Sequence, residues 1–133
     1  MVSANSNSIL FIKGDDTFRA ILNHVLVEEE YKVLTTSNGL KAINILQKET
    51  PDLIIIDIII ELSDAIEIIM HAKKNYPTCK IIAVSGSGRG NADEYLNTAF
   101  NLGADHIFTK PFSLPDLIIT VNKLLKPSHQ LVG

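Results

Sequence analysis

The stretch Pro51-Asp52-Leu53-Ile54-Ile55-Ile56-Asp57 decides the fold. Its four consecutive apolar residues are typical of a strand that is covered on both faces, because a half-buried strand would alternate apolar and polar residues. Such a strand lies at the centre of a parallel sheet. Asp57 follows it directly, and a carboxylate beside so apolar a run has a desolvation cost that favours a functional role.

On both sides of this stretch, short apolar runs alternate with longer segments whose apolar residues recur at three-and-four spacing. The runs predict strands β1 to β5 at 9–12, 31–36, 53–56, 80–84 and 107–109. A helix is predicted after each strand (α1 to α5), with α3 at 64–76, α4 at 91–103 and α5 at 113–126. This order predicts an α/β domain in which helices cover a parallel sheet.

The helices have predicted inward faces and capping residues. The inward face of α1 is predicted to contain Phe18, Ile21, Leu22, Val25 and Leu26, and that of α3 to contain Ile66, Ile69 and Met70. Residues suited to N-caps precede four helices, namely Asp15 or Asp16, Ser37 or Asn38, Asn91, and Ser113. Gly103 is suited to a left-handed end of α4.

Composition limits the class of protein. The 133 residues are 46% apolar and 20% charged, which predicts one domain at 9–126 between a disordered lead-in (1–8) and a tail (127–133). A single cysteine favours a reducing, cytoplasmic location. The net charge of -3, without a basic cluster, argues against nucleic-acid binding, and no stretch predicts a membrane span or a signal peptide.

Polar residues stand at the carboxyl ends of three of the predicted strands. Asp57 ends β3, Ser85 ends β4, and Lys110 ends β5. Ligands of open α/β sheets bind outside the carboxyl ends of the strands, so these three side chains are expected to converge. A carboxylate can attack phosphorus while a hydroxyl and an ammonium stabilise phosphoryl oxygens, which predicts binding or transfer of a small anion.

The order of these parts resembles the receiver domain of two-component response regulators, including single-domain chemotaxis-type receivers, from Ile9 to about Lys126. The resemblance rests on four segments at matching separations, namely 51–57, Val84-Ser85, Gly103-Ala104-Asp105 and Lys110-Pro111-Phe112. It implies a flavodoxin-like (βα)5 three-layer sandwich with a parallel five-stranded sheet in the order 2-1-3-4-5.

The resemblance also implies roles for residues. In such receivers a histidine kinase or phosphotransfer protein passes a phosphoryl group to the position matching Asp57. The positions matching Ser85 and Lys110 contact the phosphoryl oxygens, and Mg²⁺ is held by Asp57 together with the backbone carbonyl of Ile59. A downstream protein commonly reads the α4-β5-α5 face.

Departures from the family pattern affect the pocket and the switch. The family's pair of acids after β1 is replaced by Lys13 and Gly14, which is expected to weaken Mg²⁺ binding. Asp15 either reaches the metal or caps α1, and the cap is favoured. Ile107 stands where the family's switch aromatic residue is usual, and Phe108 is expected to face the other side of the strand.

These features support a non-enzymatic signalling switch in a phosphorelay, with a phosphoryl group on Asp57. The alternative is a pseudo-receiver, a phosphorylation-independent interaction module in which Lys13 pairs with Asp57 in place of the metal. A flavin- or nucleotide-dependent enzyme on the same fold is a third, weaker interpretation, because no phosphate-binding loop follows β1. In either of the first two cases the chain acts through a protein partner.

Overall fold

A computed structural model describes residues 7–12, 16–58, 62–85, 92–109 and 112–125. Strands and helices alternate five times within these residues. The strands are β1 (Ser8–Ile12), β2 (Lys32–Thr36), β3 (Leu53–Asp57), β4 (Lys80–Ser85) and β5 (His106–Thr109). The helices are α1 (Asp16–Glu28), α2 (Gly39–Lys48), α3 (Leu62–Asn75), α4 (Ala92–Leu102) and α5 (Leu114–Leu125).

The five strands form one parallel sheet in the order β2-β1-β3-β4-β5, which confirms the predicted order. The central strand is β3, and all five of its residues are buried. The unbroken apolar run therefore predicts the central position of β3 correctly, because helices cover both faces of the sheet.

Alternate residues of the strands contribute to two separate cores. One core places Leu10, Ile54 and Ile81 under α2, α3 and α4. The other places Phe11, Ile55 and Ile82 under α1 and α5. Successive side chains of a strand point to opposite faces, so this division produces the predicted three-layer sandwich.

Local capping agrees with the sequence at three helix ends. Asn38 rather than Ser37 caps α2, since its Oδ1 accepts hydrogen bonds from the backbone N–H groups of Leu40 (2.7 Å) and Lys41 (3.0 Å). Ser113 Oγ accepts from the N–H of Asp116 (3.2 Å) at the start of α5. Gly103 has a φ of 129°, as predicted for the end of α4. The expected caps Asp15 and Asn91 lie outside the described residues.

Two inward-facing predictions for the helices are wrong. Ile21 is 46% exposed and Met70 is 53% exposed, whereas Ile68 is buried. The buried positions of α3 include 65, 68, 69 and 72, the i, i+3, i+4, i+7 set of one helical face, and Met70 is rotated away from it.

No helix in the described part of the chain has the length and apolar character needed to cross a bilayer.

The first strand begins one residue into the expected lead-in. The N–H of Ser8 donates to Asp52 Oδ2 (2.9 Å), and the carbonyl of Asn7 accepts from the N–H of Lys32 (2.9 Å). These bonds fix the amino end of β1 between the segments on either side of it.

Candidate functional site at the carboxyl edge of the sheet

Two buried polar side chains lie at the carboxyl ends of neighbouring strands. Asp57 ends β3 and is 1% exposed, and Ser85 ends β4 and is 2% exposed. Taking a carboxylate or a hydroxyl out of water costs free energy unless other groups satisfy it, so buried polar residues are uncommon without a structural or functional reason. Both residues interact with other groups of the chain.

The strand register brings these two residues together. Asp57 pairs with Val84, and the N–H of Ile58 donates to the carbonyl of Val84 (2.9 Å). Ser85 is therefore one step beyond the partner of Asp57, on a strand about 4.8 Å away. A carboxylate and a hydroxyl group thus lie at one edge of the sheet, as expected for two of the three residues predicted to converge there.

Five other predicted site residues lie outside the described residues: Lys13, Gly14, Asp15, Ile59 and Lys110. The residues that precede three of them, Lys13, Ile59 and Lys110, are described. Ile12, before Lys13 in sequence, pairs with Ile56, and Thr109, before Lys110, pairs with Ser85. The chain therefore leaves β1 and β5 at the same edge of the sheet as Asp57 and Ser85.

The described residues fit a Mg²⁺ ion only in part. Mg²⁺ takes oxygen ligands in near-octahedral geometry, usually one or two carboxylates completed by water and substrate oxygens. Asp57 supplies one carboxylate, and within the described ranges no group of three or more His, Cys, Asp or Glu side chains is arranged to hold a metal. The remaining predicted ligands, Ile59 and Asp15, are not among those described.

Ile107, the predicted switch residue of β5, and its aromatic neighbour Phe108 lie on opposite faces of the strand. Ile107 is half-buried against the core under α2, α3 and α4, and it pairs with Ala83, two residues before Ser85. Phe108 belongs to the opposite core, which confirms its predicted direction. Its ring packs against Phe112 with centroids 5.1 Å apart, so the aromatic side chain of β5 contacts the segment that enters α5.

Sequence reasoning did not single out the end of β2. Thr35, Thr36 and Ser37 line a cleft there together with side chains of α1 and α2. The available signal was three hydroxyl residues in succession at the carboxyl end of a strand, the same position that drew attention to Ser85.

Comparison with known proteins identifies the family. The model of the response regulator receiver domain matches residues 9–122, and the chain belongs to this family. It is 31% identical over 120 residues to the sporulation initiation phosphotransferase F of Bacillus subtilis, covering 90% of this chain and 94% of that protein. It is 27% identical over 121 residues to the chemotaxis protein CheY of Halobacterium salinarum, covering 90% and 98%.

Solved structures share the fold. A CheY-like receiver domain protein from Methanospirillum hungatei superposes with a TM-score of 0.80 at 22% identity, over 94% of this chain and 98% of that one. A response regulator described as putative from Chloroflexus aurantiacus gives 0.76 at 24% identity, over 90% and 98%. The chain is therefore a flavodoxin-like receiver domain, a signalling module of phosphorelays.

Proposed function

We propose that Asp57 accepts a phosphoryl group from a histidine kinase or a phosphotransfer protein. The observation that carries this proposal is the buried carboxylate at the end of the central strand, one register step from the Ser85 hydroxyl. An Asp57 oxygen attacks phosphorus and forms an acyl phosphate, while the bond from phosphorus to the donor imidazole nitrogen breaks. That nitrogen keeps the electron pair and takes up a proton when the imidazole leaves.

Ser85 and Lys110 have supporting roles in this proposal. The hydroxyl of Ser85 donates a hydrogen bond to a phosphoryl oxygen, and the Lys110 ammonium neutralises developing charge. Mg²⁺ would be held by Asp57 and the Ile59 carbonyl, with Asp15 as a further candidate, and would shield the charge of the phosphoryl group. Lys13 and Gly14 in place of two acids leave fewer carboxylates for the ion and weaken its binding.

The added negative charge biases the domain between two states. Ser85 moves toward the phosphoryl group. Ile107 lies on the same face of the sheet and shifts in response, because β5 is paired with β4. Because Ile107 is aliphatic, the output does not depend on an aromatic ring exchanging between exposed and buried positions. A downstream protein then binds the α4-β5-α5 face. The domain itself spans residues 9–126.

The net charge and the cysteine content support the proposed class of partner and the proposed compartment. The net charge of -3 favours protein partners over nucleic acid. The single cysteine, Cys79, is buried, which fits a reducing cytoplasm.

Beryllofluoride, which mimics a phosphoryl group on a carboxylate, tests the switch directly. We expect NMR amide shifts at Ser85, Ile107 and Thr109 when beryllofluoride and Mg²⁺ are added to the native chain. The Asp57→Asn variant should show none, whereas Asp52→Asn, at the exposed residue directly before the same strand, should respond like the native chain.

Substitution of the pocket distinguishes a working receiver from an interaction module. We expect Lys13→Asp combined with Gly14→Asp to tighten Mg²⁺ binding and to speed phosphorylation of Asp57. If beryllofluoride acts on this variant and leaves the native chain unchanged, the proposal is wrong and the native domain functions without phosphorylation.

A further inference from the structure

A polar cleft of about 430 Å³ lies beside the end of β2, away from Asp57. It is formed between α1, the carboxyl end of β2 and the first half of α2. Its polar lining comes from all three segments: Arg19, Thr35, Thr36, Ser37, Lys41 and Asn44. Its volume falls within the range of small-ligand clefts, but it lies at an edge strand and not at the crevice between β1 and β3 where sheets of this order usually bind ligands.

The side chains that line the cleft carry groups that bind anions. Arg19 and Lys41 bring two positive charges from different helices, and Arg19 also interacts with another group of the chain. No carboxylate is present among the lining residues that the structure describes. The surrounding side chains offer hydroxyl and amide groups. Two cations concentrated in a protein of net charge -3 favour an anionic ligand with several acceptor oxygens.

The loop that borders the cleft is held in place by its own hydrogen bonds. Thr36 Oγ1 accepts from the N–H of Asn38 (3.2 Å), and Asn38 Oδ1 accepts from the N–H groups of Leu40 and Lys41. Lys41 therefore lies in a capped first turn of α2. The backbone that carries Lys41 is thus ordered before a ligand binds, so only the lysine side chain loses freedom on binding.

We propose that this cleft binds a small phosphomonoester, independently of phosphorylation at Asp57. The phosphate contacts Arg19 and Lys41, and hydroxyl groups of the organic part contact Ser37 and Asn44. The cleft is larger than a phosphate ion and so accommodates a short polyol. In the lining that the structure describes no aromatic ring is present to stack on a base, which favours a polyol phosphate over a nucleotide. Because β1 separates β2 from β3, the two sites are two strand spacings apart, or about 10 Å.

NMR titration with glycerol 3-phosphate tests this site, with glycerol at equal concentration and sodium chloride at equal ionic strength as controls. We expect saturable shifts of the amides of residues 35–37, 41 and 44 with a Kd of about 1 mM or tighter. Inorganic phosphate should shift the same amides more weakly, and glycerol should not. Since Asp57 is not part of the site, Asp57→Asn should bind equally, which separates this test from that of the phosphoacceptor.

Two matched variants of α2 assign the binding to the cleft. Lys41→Gln should weaken binding about tenfold, because it removes one charge-assisted hydrogen bond. Lys48→Gln, which removes an exposed lysine from the last turn of the same helix, should bind like the native chain. Equal weakening in both variants, shifts centred on Asp57 and Ser85, or no saturable shift at all would overturn the proposal.

Discussion

Lys73 and Asp105 form a half-buried ion pair that ties α3 to the start of β5. Lys73 Nζ lies 3.3 Å from Asp105 Oδ2, and each side chain is 26% exposed. The same carboxylate oxygen accepts from the N–H of Ile81 (2.8 Å), while the N–H of Asp105 donates to the carbonyl of Ile81 (2.7 Å). Asp105 therefore continues the pairing of β4 with β5 through its side chain, at the edge opposite Asp57.

Replacing Asp105 should lower the stability of the domain. Asp105→Ala leaves the N–H of Ile81 and the ammonium of Lys73 without their carboxylate, and we expect a loss of about 2 kcal/mol in the free energy of unfolding. Urea denaturation followed by circular dichroism measures this loss. As the control, Glu49→Ala removes the exposed ion pair with Lys32, and it should change stability little because solvent screens that pair. Equal effects of the two substitutions would refute a special role for Asp105.

Replacing Gly103 should destabilise the domain for two reasons that can be tested separately. Its φ of 129° is strained for any residue with a side chain, and a Cβ there would lie 2.8 Å from Lys73 Cγ. We expect Gly103→Ala to destabilise the domain by about 1 to 3 kcal/mol. Repeating the substitution in a Lys73→Ala background removes the contact and leaves the backbone strain, so part of the loss should persist. Full recovery in that background would show that the contact alone is responsible.

Cys79 should be inert in the folded protein. Burial raises the pKa of its thiol to about 12, the nearby Lys73 ammonium opposes this, and the carboxylates of Asp52 and Asp105 add to it. Thiolate is the reactive form, so alkylation at neutral pH should proceed only through unfolding. With one cysteine in the chain, the rate of iodoacetamide labelling measures that opening. Labelling as fast as in urea-denatured protein would contradict this account.

Tyr31 should make stability fall with pH in the alkaline range. Burial, with a smaller contribution from the charge of Glu29, raises the pKa of Tyr31 from 10.0 to about 12. Its hydroxyl donates to Asn122 Oδ1 and so links the residue directly before β2 to α5. Because the folded pKa exceeds the unfolded one, this contribution is complete below pH 10 and is lost between pH 10 and about 12. In Tyr31→Phe, stability measured by urea denaturation should decline less steeply above pH 10, and identical slopes would count against the raised pKa.

The sheet was predictable from sequence because its determinants are local. The apolar run before Asp57 indicates burial on both faces, and alternation along β5 places Ile107 and Phe108 on opposite sides. Asp57 and Ser85 were predictable for a related reason, because parallel strands bring their carboxyl ends to one edge.

Other features depend on contacts between distant segments. Met70 satisfies a three-and-four spacing with Ile66, yet the neighbouring helices cover the adjacent face that contains Ile68. Likewise, nothing near Asp105 in sequence indicates its bond to Ile81 or its pairing with Lys73. The cleft at the end of β2 needs side chains from α1 and α2 together, so its cations become apparent only once the helices are packed.

Intact-mass spectrometry after incubation with acetyl phosphate tests the central claim most directly. The native chain and Asp52→Asn should each gain one phosphoryl group, faster with Mg²⁺ than without it, and Asp57→Asn should gain none. An unmodified native chain under every phosphodonor tried, or an equal adduct on Asp57→Asn, would contradict the assignment of Asp57 as the phosphoacceptor.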